Sequence, residues 1–181
     1  WGEACTKEEL IEFLKPLSNI KAVFATYNET STGILNPIAE LGEVVRNHTD
    51  ALFIVDGVSC IGGVVAEMDN WNIDILVTGS QKALMLPPGL ALVSVSDRAW
   101  KVIEENKTPT YYLSLLSYRD WHEKGQTPNT PAVSLIQGLS VVCDLIEEEG
   151  GIEKTAERHA VMRDMVLEAM KVLSIELLTE D

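Results

Sequence analysis

The sequence predicts an α/β fold whose sheet is mostly parallel and covered by helices. Apolar runs of strand length alternate with helical patterns in the first half of the chain, an order typical of such sheets. Several of these runs are continuous rather than alternating, as expected for strands covered on both faces. The length of 181 residues suits one domain, or one domain and the start of another.

The strands of the first half follow from β-rich apolar runs. They are predicted at residues 21–27, 51–55, 73–78 and 90–95. The loop before the last of these contains Pro87 and Pro88 and is too short for a helical crossover. We therefore expect the strand at 90–95 to turn back antiparallel to its neighbour.

Caps and apolar spacing predict the helices. Thr6 and Glu9 have the spacing of a capping box that opens a helix ending near residue 14, and a second helix is predicted at 38–47. Thr130 and Pro131 are predicted to cap and open a long helix that stops at Gly150. A further helix is predicted at 152–173, a strand at 174–178 and a linker at 107–126.

Composition and charge exclude several classes of function. The formal net charge of −14 disfavours nucleic acid and membrane partners, because such a surface repels phosphate groups. The three cysteines and three histidines lack the spacing of a disulfide framework or a metal site. We therefore predict no metal and a reducing, cytoplasmic location. No apolar run approaches the roughly 18 residues of a membrane span. The N-terminus lacks both a signal peptide pattern and Met, so the chain is expected to begin in mid-protein.

Polar residues follow the ends of three predicted strands. They are Thr30 to Gly33 after the first strand, Asp56 after the second and Ser80, Gln81 and Lys82 after the third. Ligands of open α/β sheets lie beyond the carboxyl ends of the strands, so these residues can converge although they are distant in sequence. The interval between Asp56 and Lys82 has room for a strand and a crossover helix.

These residue types fit the chemistry of a pyridoxal-phosphate site. An unprotonated lysine amine forms an imine with an aldehyde, and a fixed carboxylate keeps a proton on a pyridine nitrogen. Hydroxyl groups and an amide can hold the ring oxygen and the phosphate. Each residue type also has an ordinary structural use, as a surface lysine, a turn-forming aspartate or a loop hydroxyl. Taken singly, none of them is specific.

Four segments, in order along the chain, resemble class V aminotransferases, which have fold type I. They are TYNETSTGILNP at 26–37, VDGVSCIGG at 55–63, TGSQKALMLPPGLAL at 78–92 and TPNTPAVS at 127–134. The resemblance covers essentially the whole chain and is closest to the alanine–glyoxylate and serine–glyoxylate (serine–pyruvate) subgroup. It implies the large cofactor-binding domain of an aspartate-aminotransferase-like fold.

The resemblance also implies a role for each matching residue. Lys82 would carry pyridoxal 5'-phosphate as a Schiff base and then move the substrate proton, and Asp56 would pair with the ring nitrogen. Val58 would pack on one face of the ring. Thr30 would hydrogen-bond the ring oxygen, and Gln81 would bind that oxygen or the phosphate.

Thr130 would contact the phosphate of the other subunit's cofactor, which implies a homodimer with shared active sites. Some relatives have Tyr where this chain has Thr127. The family's N-terminal glycine loop and stacking aromatic and its C-terminal carboxylate-binding Arg have no counterpart here, so the chain is expected to be a fragment. Its parts would be the centre of the large domain at 1–130, connecting helices at 131–173 and the start of a C-terminal small domain at 174–181.

The implied reaction moves an amino group from alanine, serine or a similar small amino acid to a 2-oxo acid such as glyoxylate or pyruvate. Cysteine desulfurases and phosphoserine aminotransferases are alternatives of the same class. Desulfurases usually have His before the lysine, where this chain has Gln81, and they need a mobile catalytic cysteine. A non-catalytic scaffold is the alternative from another class. Nicotinamide binding is weakest, because residues 57–63 lack the GxGxxG pattern.

Overall fold

The computed structural model describes residues 2–106 and 109–179. Trp1, Lys107 and Thr108 of the predicted linker, and Glu180 and Asp181 of the predicted small-domain segment lie outside the described residues. The elements in chain order are α1 (Lys7–Leu14), β1 (Ala22–Thr26), β2 (Asn28–Glu29), β3 (Ile34–Leu35), α2 (Ile38–His48), β4 (Leu52–Asp56), β5 (Ile75–Gly79), β6 (Ala91–Val95), α3 (Asp97–Glu105), α4 (Leu115–His122), α5 (Val133–Glu149) and α6 (Ile152–Val172).

The main sheet has four strands in the order β1-β4-β5-β6. β1, β4 and β5 run parallel, and β6 pairs antiparallel with β5. The predicted α/β class and the antiparallel return of the last strand are therefore confirmed. β2 and β3 form a short antiparallel hairpin after β1, which the sequence pattern did not predict.

One face of the sheet packs against α1 and α2. Phe53 and Val55 of β4 are buried there with Ile38 and Val45 of α2. α2 approaches the loop before β5 so closely that a Cβ on Gly42 would lie 1.9 Å from the Trp71 carbonyl oxygen. Glycine at this position therefore sets the distance between the helix and that loop.

Asp56, the last residue of β4, lies on the other face of the sheet. Phe24 of β1 lies on this face and is 76% exposed, and Val93 of β6 is 41% exposed. Asp56 pairs with Thr26 of β1 and with Val77 of β5, and Val77 pairs in turn with Val93 of β6. This face is thus open to a ligand or to further chain.

The connection from β4 to β5 contains no helix, although the interval has room for one. Residues 57–74 form a series of turns, among them bonds from Gly63 N to the Cys60 carbonyl (2.8 Å) and from Trp71 N to the Glu67 carbonyl (2.9 Å). Three glycines in this segment, Gly57, Gly62 and Gly63, disfavour a helix.

Two helices lie where none was predicted. α3 begins after Ser96, whose hydroxyl accepts a hydrogen bond from Ala99 N, and α4 lies within the predicted linker. Arg119 of α4 joins them, with one guanidinium nitrogen 2.7 Å from a carboxylate oxygen of Glu104 and the guanidinium 4.5 Å from the Trp100 ring centre. Part of the linker is therefore packed structure.

Two predictions for the second half are wrong. α5 begins at Val133 after Ala132, with no side-chain cap, so Thr130 is not its N-cap. No strand forms within 174–179, because nothing among the described residues pairs with this segment. The predicted stop of α5 at Gly150 is confirmed, and Gly150 has the left-handed φ of 108° that favours glycine there.

Candidate active site

The candidate site lies at the carboxyl ends of β1, β4 and β5. These strands are parallel neighbours, so their ends meet at one edge of the sheet. The segment with Thr30 follows β1, Asp56 is the last residue of β4, and Lys82 comes three residues after the end of β5. The topology thus brings the three predicted segments to a single edge.

Asp56 lines a cavity of about 360 Å³. One of its carboxylate oxygens accepts a hydrogen bond from Val58 N at 2.9 Å, and the carboxylate is exposed. Val58 is half-buried and lines the same cavity, together with Phe24 and Val77. The volume lies within the range of roughly 300–1,000 Å³ of small-molecule sites. An acid and an apolar side chain therefore face a space that can hold an aromatic ring.

Thr30 lies in the turn between β2 and β3. The Glu29 carboxylate accepts hydrogen bonds from the backbone N of Ser31 (2.9 Å) and from its hydroxyl (2.7 Å), and these bonds hold the pKa of Glu29 below its ordinary value. Tyr27 N donates to the Asp56 carbonyl at 2.8 Å, which ties the start of this segment to the end of β4.

A direct side-chain contact joins the two segments. The Thr30 and Ser59 hydroxyl oxygens are 2.5 Å apart. Ser59 follows Val58 in the loop after β4, so Thr30 lies beside the loop that carries Asp56. Ser59 was not among the predicted site residues, and its place three residues after Asp56 is the signal that the sequence offers for it.

Ser80 fixes the turn that carries Lys82. This residue is fully buried at the end of β5. Its hydroxyl donates to the Pro87 carbonyl at 2.8 Å and accepts from Leu90 N at 3.2 Å. The Lys82 carbonyl accepts a hydrogen bond from Met85 N at 2.8 Å, while the Lys82 side chain is exposed. The backbone of the turn is therefore held, and Lys82 itself is accessible to solvent.

Gln81 lies at this edge of the sheet, whereas Thr130 lies in a loop elsewhere. A Cβ on Gly79 would lie 2.8 Å from the Gln81 amide oxygen, so the Gln81 side chain folds back over the end of β5. Thr130 lies in the exposed loop before α5. The contacts of the described residues do not bring it to Asp56 or Lys82.

Cys60 lies in the loop after β4 and is buried. Burial, and to a lesser extent the charge of Asp56, raises the pKa of its thiol to about 12. The thiol is therefore protonated at neutral pH, which is the unreactive form. Within residues 2–106 and 109–179, His, Cys, Asp and Glu side chains form no group that could hold a metal ion.

The family model for aminotransferase class-V matches the sequence of this chain over residues 4–180. The chain belongs to this family. Among its class-V relatives, an uncharacterized aminotransferase of Methanocaldococcus jannaschii is 46% identical over 100% of this chain and 47% of its own length. The L-aspartate–glyoxylate aminotransferase of Paracoccus denitrificans is 40% identical over 88% of this chain and 41% of its own.

Solved class-V structures share the fold. The ureidoglycine–glyoxylate aminotransferase of Bacillus subtilis superposes with a TM-score of 0.91 and 33% identity, over 100% of this chain and 47% of that one. The chain thus spans about half the length of the relatives it matches. No helix in the described part of the chain is long and apolar enough to cross a membrane.

Proposed function

We propose that the protein containing this chain is a pyridoxal-phosphate-dependent transaminase. It would transfer an amino group from alanine, serine or a similar small amino acid to a 2-oxo acid such as glyoxylate or pyruvate. One observation carries the proposal: in a class-V chain, Asp56 ends β4 and Lys82 follows β5, and these adjacent parallel strands end at the same edge of the sheet. The name of the Paracoccus denitrificans relative supports glyoxylate as the acceptor.

The residues at this edge fit the cofactor. Pyridoxal phosphate supplies an aldehyde that bonds to amines and a pyridine ring that withdraws electrons. Asp56, an exposed residue that lines the cavity, would hold a proton on the ring nitrogen. Val58 would pack on one face of the ring. The Thr30 hydroxyl and the Gln81 amide would hydrogen-bond the ring oxygen, or Gln81 the phosphate.

Lys82 would act twice. Its amine would first hold the cofactor, and once released by the incoming amino acid it would remove the proton from the substrate Cα. The same amine would then return that proton at the cofactor carbon. An exposed side chain on a fixed backbone suits both steps, because the amine must move while its anchor does not.

A homodimer and a cytoplasmic location complete the proposal. Thr130, exposed in the loop before α5, would contact the phosphate bound by a second subunit. The cytoplasmic location is a prediction from cysteine usage, and the three cysteines Cys5, Cys60 and Cys143 are free. Cys60, buried with a protonated thiol, does not suit the mobile nucleophile of a desulfurase.

The test is a half-reaction followed in the complete gene product. With pyridoxal phosphate bound, alanine or serine should remove the visible absorption band and glyoxylate should restore it. Lys82→Ala should slow this exchange by roughly 10² to 10⁴, whereas Lys101→Ala, at an exposed position of α3, should not. The proposal is contradicted if the protein binds no cofactor, or if its visible absorption spectrum does not change when alanine or serine is added.

A further inference from the structure

We propose that Ser59 is a positioning residue that orients the Thr30 hydroxyl toward the cofactor. The inference rests on the proposed function, because it concerns the ring oxygen that Thr30 would bind. The observation that carries it is the contact of 2.5 Å between the Thr30 and Ser59 hydroxyl oxygens. Ser59 belongs to the same loop as Asp56 and Val58, so this contact joins the β2–β3 turn to the loop after β4.

The direction of this hydrogen bond follows from what the cofactor needs. A hydroxyl has one proton to donate and two lone pairs. If Thr30 donates to Ser59, it has no proton left for an anionic ring oxygen. If Ser59 donates to Thr30, the Thr30 proton is free for that oxygen. We therefore assign Ser59 as the donor and Thr30 as its acceptor when the cofactor is bound.

The backbone around the pair is held independently of it. Ser31 bonds to Glu29 on the Thr30 side, and Val58 N bonds to Asp56 on the Ser59 side. Tyr27 N bonds to the Asp56 carbonyl and closes the arrangement. Removing the Ser59 hydroxyl should thus free the rotation of the Thr30 hydroxyl without moving either segment. Ser59 is half-buried, so removal of its hydroxyl oxygen should not leave an enclosed void.

The effect is measured on the bound cofactor, not on turnover. A hydrogen-bond donor stabilises the anionic ring oxygen and so lowers the pKa of the proton that lies next to it. Loss of the donor therefore raises this pKa, which is the pH midpoint of the titration. Thr30→Val should raise the midpoint of the pH titration of the visible band by about one pH unit. Ser59→Ala acts one bond further away and should raise it by a few tenths of a unit.

The titration is carried out on the complete protein with pyridoxal phosphate bound. Ser59→Thr, which keeps the hydroxyl, should retain the original midpoint, and Ser59→Ala combined with Thr30→Val should match Thr30→Val alone. Ser31→Ala is the matched control, since it removes a hydroxyl of the same turn that bonds to Glu29, and it should leave the midpoint unchanged. Ser59→Cys, of similar size with a weaker donor, gives the same test if Ser59→Ala does not bind cofactor.

Three results would overturn the assignment: an unchanged midpoint in Ser59→Ala, a Ser59 effect that persists in the Thr30→Val background, or an equal shift in Ser31→Ala. Each of these leaves the transaminase proposal standing, because the cofactor is still bound. A parent protein that binds no pyridoxal phosphate overturns both.

Discussion

Ser80 shows how one buried hydroxyl can position an exposed amine. It contacts Pro87 and Leu90 across the turn that carries Lys82. Ser80→Ala leaves a carbonyl and an N–H without that partner, which we expect to cost about 1 to 3 kcal/mol in the free energy of unfolding. Urea unfolding measures the loss, and weaker retention of pyridoxal phosphate should accompany it. Full stability together with full cofactor retention would show that the turn does not need this hydroxyl.

The burial of Cys60, which makes it unsuitable as a desulfurase nucleophile, can be tested directly. With its thiol pKa raised to about 12, mainly by burial, the group stays protonated throughout the range from neutral pH to pH 9. We expect iodoacetamide at pH 8 to leave Cys60 unmodified in the native protein and to modify it after unfolding in urea. Peptide mass spectrometry reads both states. Labelling of native Cys60 at the rate seen in urea would contradict the burial of this thiol.

At the level of single residues, the sequence pattern singles out groups with distinctive chemistry, but not groups whose proposed role depends on a contact. Asp56 and Lys82 stand out because a strand end, an acid and an amine are visible in the pattern and in the family resemblance. Ser59 is one hydroxyl among many in the sequence. Its contact with Thr30 depends on a hairpin that brings together residues distant along the chain, and short local patterns do not predict such a contact.

Glu149 joins α5 to α6. Its carboxylate accepts hydrogen bonds from Arg158 and Thr155, and these contacts lower its pKa to about 2 from an ordinary value near 4.5. A lowered pKa in the folded state means that the stabilisation is fully present above the unfolded-state pKa and is lost as the pH falls toward 2.

Glu149→Gln should therefore destabilise the protein at neutral pH and reduce the loss of stability between about pH 4.5 and pH 2. Thermal unfolding at a series of pH values measures this difference. Glu148→Gln, at the exposed neighbouring position, is the control and should keep the original pH dependence. The same pH dependence in both variants would mean that the Glu149 contacts do not stabilise the helix junction.

Asp74 ties several elements together just before β5. Its buried carboxylate accepts from Phe53 N of β4 at 2.8 Å, from the Ser96 hydroxyl at 3.1 Å and from the Arg98 guanidinium of α3 at 2.6 Å. Removing one partner of a buried, hydrogen-bonded ion pair is expected to cost about 3 to 5 kcal/mol. We expect Asp74→Ala to lose that much in urea unfolding, whereas Asp120→Ala, at an exposed site, should change little. A small loss for Asp74→Ala would contradict its role in joining the elements.

At the level of elements, local patterns predicted those whose capping and apolar runs agree. α1 has the predicted capping box at Thr6, and α5 stops at Gly150 as expected. The failures concern segments that depend on distant contacts. Residues 115–122, predicted as part of a linker, form α4, and residues 174–178 have the composition of a strand but no partner among the described residues. Strand formation needs a second chain segment, which composition alone does not supply.

For the whole molecule, the sheet topology carries the functional proposal. Parallel strands place residues distant in sequence at one edge, and the sheet face beside Asp56 leaves Phe24 largely exposed. The chain also spans about half the length of the relatives it matches, so the tests of the proposed function use the complete protein. The predicted α/β class and the family resemblance placed these residues at one edge of the sheet, whereas the cavity lined by Asp56 could be seen only in the structure.

The most direct test of the account is to map the lysine that bonds to the cofactor. The complete protein is mixed with pyridoxal 5'-phosphate, reduced with borohydride to fix the carbon–nitrogen bond, and digested for peptide mass spectrometry. We predict that the label lies on Lys82 and disappears in Lys82→Arg, while Asp56→Asn still takes the label but binds the cofactor more weakly. A label on another lysine, or no label, would contradict the account.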